Sequence, residues 1–124
     1  MNKILIVDND KVNVDLVADW FGNQGYKTNK MYTHKGLLDK IYSFMPSILV
    51  MGIHLQGIDG RYLCSLLKSI EQTKHIKIVM LSPKPNHYQV DDEEWCADAF
   101  LYEPYNQQDM VKIAANFEEK PADV

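Results

Sequence analysis

The chain has little of what most ligand chemistry needs. It holds only two cysteines, Cys64 and Cys96, and their spacing is not that of a metal site. Reduced thiols are the plain reading, with Cys64 set in the apolar stretch LCSLL as part of the core. There is no G-x-G-x-x-G and no P-loop, so nucleotide binding has no support. No Lys/Arg cluster interrupts a formal net charge of −4. That argues against a nucleic-acid surface, which needs a concentrated basic patch, and against a polybasic membrane anchor. No apolar run approaches transmembrane length. The start, MNKILIVDND, has one basic residue and a short apolar run before Asp8, which does not read as a secretory leader. A cytoplasmic domain is therefore expected. Internal repeats, low-complexity segments and linkers are missing too.

What is present suits one compact domain. There are 124 residues, and 46% are hydrophobic, enough for a buried core. The pattern alternates between two periods. KILIVD (3–8) reads as a buried strand. A helix follows, capped by Asp10, with Val14, Val17, Ala18 and Phe21 on one face and Gly25 at its end. YKTNKMY (26–32) reads as a second strand. Thr33 is placed to cap a helix carrying Leu37, Leu38, Ile41 and Tyr42, which Pro46 ends. SILVMGI (47–53) is apolar throughout, as expected of a central parallel strand covered on both faces. Asp59 is placed to cap a helix with Leu63, Leu66, Leu67 and Ile70 on one side. IKIVMLS (76–82) is a strand, PKPN (83–86) a loop, 88–98 a helix and AFLYE (99–103) a fifth strand. Asn106 caps a last helix through Phe117, helped by Asp109 in its first turn. Residues 1–118 make the domain, and 119–124 are expected to fray.

Five strand–helix pairs in this order predict a parallel sheet with helices on both faces. Ligands bind such sheets outside the carboxyl ends of the strands. Those ends offer Asp8, Asn9 and Asp10, then Gly52, Ile53 and His54, then Ser82, then Tyr102 and Glu103. Four separate segments thus supply one polar cluster.

ILIVDND, GYKTN, PSILVMGIHLQGIDG, IVMLS and ADAFLYEP together resemble the receiver domain of two-component response regulators, over residues 3 to 117. The resemblance implies a CheY-like, flavodoxin-like sheet of five strands, order 2-1-3-4-5. It also implies phosphoryl transfer from a histidine kinase to an Asp at the end of the third strand, with Mg²⁺. Asp8 matches the first metal-binding acid of that family. Asn9 matches the second, without its charge. Gly52 matches the phospho-acceptor, and His54 the residue whose carbonyl helps hold the metal. Ser82 matches the Thr/Ser that follows the phosphoryl group, and Phe100 the switch aromatic. Glu103 matches the Lys that clamps the phosphoryl group, and Pro104 the proline after it.

Glycine cannot form an acyl phosphate, so the nucleophile is gone. Hard Mg²⁺ prefers carboxylate oxygens, and only Asp8 survives of three acids. Glu103 sets a carboxylate where the family supplies an ammonium. These losses predict a pseudo-receiver that is not an enzyme, binds Mg²⁺ little or not at all, and acts by contact with a protein. That contact would use the face of the fourth helix, fifth strand and last helix, near Trp95, Tyr102 and Tyr105, with a weak homodimer also compatible. The DDEE run (91–94) would give that face an acidic stretch or remain a solvated helix surface. Two carboxylates, Asp8 and Glu103, should share the pocket, raising one pKa or recruiting a cation. Glu103 either accepts a hydrogen bond from Ser82 and locks it, or swings into solvent. Pro83 and Pro85 either stiffen the loop after Ser82 or shape a plain turn.

Two other function classes compete. A phospho-accepting regulator would need Asp8, Asp10 or Ser82 as a non-standard acceptor, and none of these ends the third strand. A cobalamin- or flavin-type module would use GIHLQG, which matches the D-x-H-x-x-G histidine loop except for the Asp that orients the imidazole. Phosphate-cradling glycines for a flavin are missing. His34, His75 and His87 are scattered and suggest no catalytic pair.

Overall fold

The computed structural model describes residues 2–82 and 96–118. Five parallel strands form the main sheet: β1 (Lys3–Val7), β2 (Lys27–Met31), β3 (Ile48–Gly52), β6 (Lys77–Ser82) and β7 (Ala99–Tyr102). Their spatial order is β2-β1-β3-β6-β7, the expected flavodoxin-like arrangement. The helices are α1 (Lys11–Asn23), α2 (Leu37–Phe44), α3 (Gly60–Ser69) and α4 (Gln107–Glu118). The expected loop 83–86 and most of the expected helix 88–98 lie outside the described residues, as do His87, DDEE, Trp95 and the tail 119–124.

Strand side chains alternate between the two faces, and this splits the core into two layers. Leu5, Val7, Leu49, Met51, Ile78 and Met80 pack under Leu37 and Ile41 of α2 and Cys64 and Leu67 of α3. Ile4, Ile6, Ile48, Val50, Val79 and Leu81 face α1 and α4. On α1 the buried residues are Val14, Val17, Ala18 and Phe21, the face expected from the 3.6-residue period. Each of the valines and the phenylalanine contributes roughly 1.5–3 kcal/mol on leaving water. All five residues of β3 are buried, which is why its sequence shows no polar alternation.

The helix starts follow side-chain capping with one exception. Asp10 accepts from the Asn13 amide, Asp59 from Arg61 and Asn106 from Asp109. Thr33 does not cap α2. Its Oγ1 accepts from the Lys35 amide inside a turn, and the helix begins four residues later behind Gly36, whose φ is 81°. A left-handed residue there ends the turn and redirects the chain. On the same helix Tyr42 is exposed rather than buried.

The glycine-rich loop after β3 is also more ordered than its composition suggests. β4 (His54–Leu55) and β5 (Ile58–Asp59) pair antiparallel around Gly57, at φ 84°. Leu55 is buried beneath this small hairpin, and His54 faces solvent. No helix among the described residues is long and apolar enough to cross a membrane.

Candidate functional site at the carboxyl ends of the strands

Strand register brings the site together. Val7 pairs with Met51, so Asp8 leaves β1 beside Gly52 at the end of β3. Gly52 pairs with Leu81, and Ser82 with Tyr102. Asp8, Asn9, Asp10, Gly52, His54 and Glu103 line one cleft of about 150 Å³, joined by Asn13 and Tyr105. Most of the strand-end residues thus converge, but Tyr102 is not on the cleft wall, and Ser82 is buried and not on it either.

The closest packing in the cleft is between Asp8 and Gly52. A β-carbon on residue 52 would stand 2.8 Å from Asp8 Cγ, 2.8 Å from Oδ1 and 2.9 Å from Oδ2. The Asp8 carboxyl group therefore occupies the space that any side chain at 52 would need first. On the other side, a β-carbon on Gly60 would run into the Gly52 carbonyl oxygen. The Gly60 amide donates to the Ile53 carbonyl at 2.7 Å, and the Ile53 amide to Leu81 at 2.8 Å. The first bond holds the start of α3 against the end of β3, and the second ties that end to β6.

Asp8 is buried, and burial pushes its carboxyl above the ordinary carboxylate range. Amide hydrogen bonds from Asp10 and Asn9 oppose the shift, while the charges of Asp10 and Glu103 reinforce it. Glu103 is half-buried, and its backbone amide donates to the Ser82 carbonyl at 3.1 Å. The Tyr105 hydroxyl donates to the same carbonyl at 3.4 Å. Burial raises the Tyr105 phenol, and Glu103, Asp8 and Asp10 raise it further.

Glu103 does not lock Ser82. Ser82 Oγ is fully buried and has no hydrogen-bond partner among the described residues. The register explains this: Glu103 follows Tyr102, the partner of Ser82, so its backbone rather than its carboxylate meets residue 82. Phe100, Tyr102 and Tyr105, expected near an interaction face, are each half-buried. Phe100 packs on the α2–α3 layer and Tyr105 on the α1–α4 layer.

The donors present do not fit a hard divalent cation. With the Asn9 amide oriented to satisfy its neighbours, its nitrogen donates to Asp8 Oδ1 at 2.9 Å and to the His54 carbonyl at 3.0 Å. An N–H therefore sits between the two oxygens a cation would have to share. Among the described residues, no three His, Cys, Asp or Glu side chains gather as a metal site. In this orientation Asn9 turns a donor, not an oxygen ligand, toward Asp8 and the His54 carbonyl.

Sequence reasoning placed Tyr105 only at an outer face and did not single out Asn13. Asn13 carried a signal, since it stands three residues beyond the cap Asp10, where the first helical turn faces the strand ends.

Comparison with known proteins agrees with the fold. Residues 4–115 match the response regulator receiver domain, and the chain belongs to that family, a signalling domain of two-component systems. It is 26% identical over 110 residues to the regulatory protein VanRc of Enterococcus gallinarum, covering 88% of this chain and 46% of that protein. To the regulatory protein VanR of Enterococcus faecium it is 28% identical over 112 residues, covering 89% and 47%. The chain thus spans about half the length of these curated relatives. A putative response regulator from Chloroflexus aurantiacus superposes with a TM-score of 0.81 at 27% identity, covering 93% of this chain and 95% of that one.

Proposed function

We propose that this receiver domain signals by contact with a protein partner and takes no phosphoryl group. The observation that carries this reading is the Asp8 carboxyl packed over Gly52. Gly52 stands where the family's acceptor aspartate would stand, at the end of β3. Its place is empty of a nucleophile and already filled by the neighbouring acid. Glu103 then adds a second carboxylate to the same cleft. An incoming phosphoryl group would meet negative charge from Asp8, Asp10 and Glu103 with no Lys in the cleft to offset it. The Asn9 amide nitrogen, donating to Asp8 Oδ1 and the His54 carbonyl, takes up oxygens that Mg²⁺ would need.

Contact signalling needs a surface. The half-exposed rings at the β7 edge, with Tyr102 central, suit a protein partner or a second copy of the chain. The non-standard acceptors are disfavoured by position: Asp8 and Ser82 are buried, and Asp10 is engaged as the cap of α1.

The test is an amide NMR titration, first with Mg²⁺ and then with the phosphoryl mimic beryllofluoride. The expected result is no saturable shift at Asp8, Ser82 or Glu103. Saturable shifts there at millimolar Mg²⁺ would overturn the proposal.

A further inference from the structure

Away from the strand-end cleft, the two cysteines meet. They are 32 positions apart in sequence, yet Cys64 Sγ and Cys96 Sγ are 2.8 Å apart. That is already inside ordinary sulfur contact. A disulfide needs them only roughly 0.8 Å closer, at about 2.0 Å. Cys64 is buried on the inner face of α3, and Cys96 is half-exposed in the segment that enters β7.

The contact is braced on both sides. One turn after Cys64, Lys68 Nζ donates to Asp98 Oδ2 at 2.8 Å and to the Ile76 carbonyl at 2.8 Å. Asp98 Oδ2 also accepts from the Ile78 amide at 2.8 Å, while the Asp98 amide donates to the Ile78 carbonyl at 2.8 Å. Residues 96–98 are therefore pinned to β6 and α3 by bonds that do not involve sulfur. Ser65 Oγ lies 3.7 Å from Cys96 Sγ, closing the third side.

We infer that Cys64 and Cys96 form a two-electron redox site that closes to an internal disulfide when a low-molecular-weight disulfide is the oxidant. In the first step the half-exposed Cys96 thiolate attacks the oxidant and expels one thiolate. This makes a mixed disulfide on Cys96. In the second step Cys64 loses its proton to water, attacks Cys96 Sγ and expels the second thiolate. The net change converts two protein thiols and one disulfide into one protein disulfide and two small thiols. Burial, with Cys96 beside it, pushes the Cys64 thiol up, which makes the closing step the slow one. The product joins α3 covalently to the lead-in of β7. That is the edge where the proposed partner contact lies, so thiol redox state acts on the same output without phosphorylation.

The test treats the reduced folded protein with oxidised glutathione in a glutathione buffer, quenches with acid, and maps peptides without reduction by mass spectrometry. The expected product is a peptide pair joined through Cys64 and Cys96, monomeric and reversed by dithiothreitol. At equilibrium it should exceed the glutathione adduct by about tenfold or more, since the partner thiol is held in contact. Cys64→Ser should halt at the adduct on Cys96. Cys96→Ser, a change at a half-exposed position, should leave Cys64 unmodified in the folded state. A persistent adduct on Cys96 as the major wild-type product would overturn the inference. So would a disulfide between two copies of the chain, or modification of Cys64 in Cys96→Ser at the wild-type rate.

Discussion

Asp8 and Gly52 share one space: the two carboxyl oxygens of Asp8 lie 2.8 and 2.9 Å from where a β-carbon on residue 52 would sit. The first prediction follows from that overlap. Gly52→Ala forces the Asp8 carboxyl to move, at a cost of about 1–2 kcal/mol. In an Asp8→Ala background the obstructing atoms are gone, and the same change should cost much less. Urea denaturation of the four proteins measures the coupling, expected at about 1 kcal/mol. Additive costs would mean that the Gly52 backbone, not Asp8, resists the side chain.

Asp8 also makes stability depend on pH. Burial raises its pKa in the folded state above its unfolded value. The folded protein therefore holds this proton more tightly than the unfolded chain does. Its stabilising contribution is full below the ordinary carboxylate pKa and is lost as pH rises through the raised folded value. Asp8→Asn cannot ionise and escapes that loss. The variant should be more stable than the parent at neutral pH, by about 1 kcal/mol. The gap should close as pH falls below the ordinary carboxylate range. Thermal melts across pH check this, and a gap of constant size would refute it.

Ser82 gives a prediction of opposite flavour to most core changes. Its Oγ is buried with no partner among the described residues, so the hydroxyl bears a desolvation cost that none of them offsets. Ser82→Ala should leave stability unchanged or raise it by up to about 1 kcal/mol. A loss larger than that on denaturation would show that the hydroxyl has a partner in solution.

Much of this architecture was legible in the residues. The central strands and the α1 face were readable because burial on both sides produces unbroken apolar runs such as ILVMG, and burial on one side produces a 3.6-residue stripe; β2, KTNKM with no buried residue, showed only partial alternation. Strand ends were legible to within a residue. Part of the cleft lining could be read as well, because parallel topology puts strand ends on one rim, though Ser82 and Tyr102 stay off its wall and Asn13 was not foreseen. Its contacts could not. Whether Glu103 reaches Ser82 depends on register between β6 and β7, and nothing in LSPKPN or AFLYEP encodes that register locally. The start of α2 was misread because a turn around Thr33 and a left-handed Gly36 compete with a helix cap for the same polar residues. The meeting of Cys64 and Cys96 is likewise a tertiary fact: their spacing in sequence says nothing, and they meet where α3 and the lead-in of β7 are also joined by the Lys68–Asp98 pair.

Gly60 marks the tightest backbone approach in the site. Its missing β-carbon makes room for the Gly52 carbonyl oxygen, a backbone atom that cannot rotate away. Gly60→Ala should therefore cost about 3 kcal/mol or more, well above a glycine-to-alanine change in an open helix. Gly22, in α1, is the control, because a β-carbon there meets nothing within 4 Å. Gly22→Ala should be neutral or stabilising by up to about 1 kcal/mol. Similar losses for both would refute the close approach.

The last prediction asks what it would take to restore a phospho-acceptor. Gly52→Asp alone places a new carboxylate against Asp8, with Glu103 still in the cleft, so like charges and overlap both oppose it. No labelling by a small phosphodonor such as acetyl phosphate is expected from that variant. Adding Glu103→Lys replaces the repelling carboxylate by an ammonium that can neutralise a phosphoryl oxygen. Nucleophile and clamp would then both be present, while Asn9 still faces the His54 carbonyl. Adding Asn9→Asp removes that amide and supplies a second cation ligand. Labelling that is Mg²⁺-dependent should be absent in the single variant, detectable in the double variant and at least about tenfold faster in the triple, a difference of about 1.4 kcal/mol in the barrier. Phosphorylation of the unaltered chain under the same conditions, mapped to any residue of the cleft, would show that a non-standard acceptor operates and that the contact-only reading is wrong.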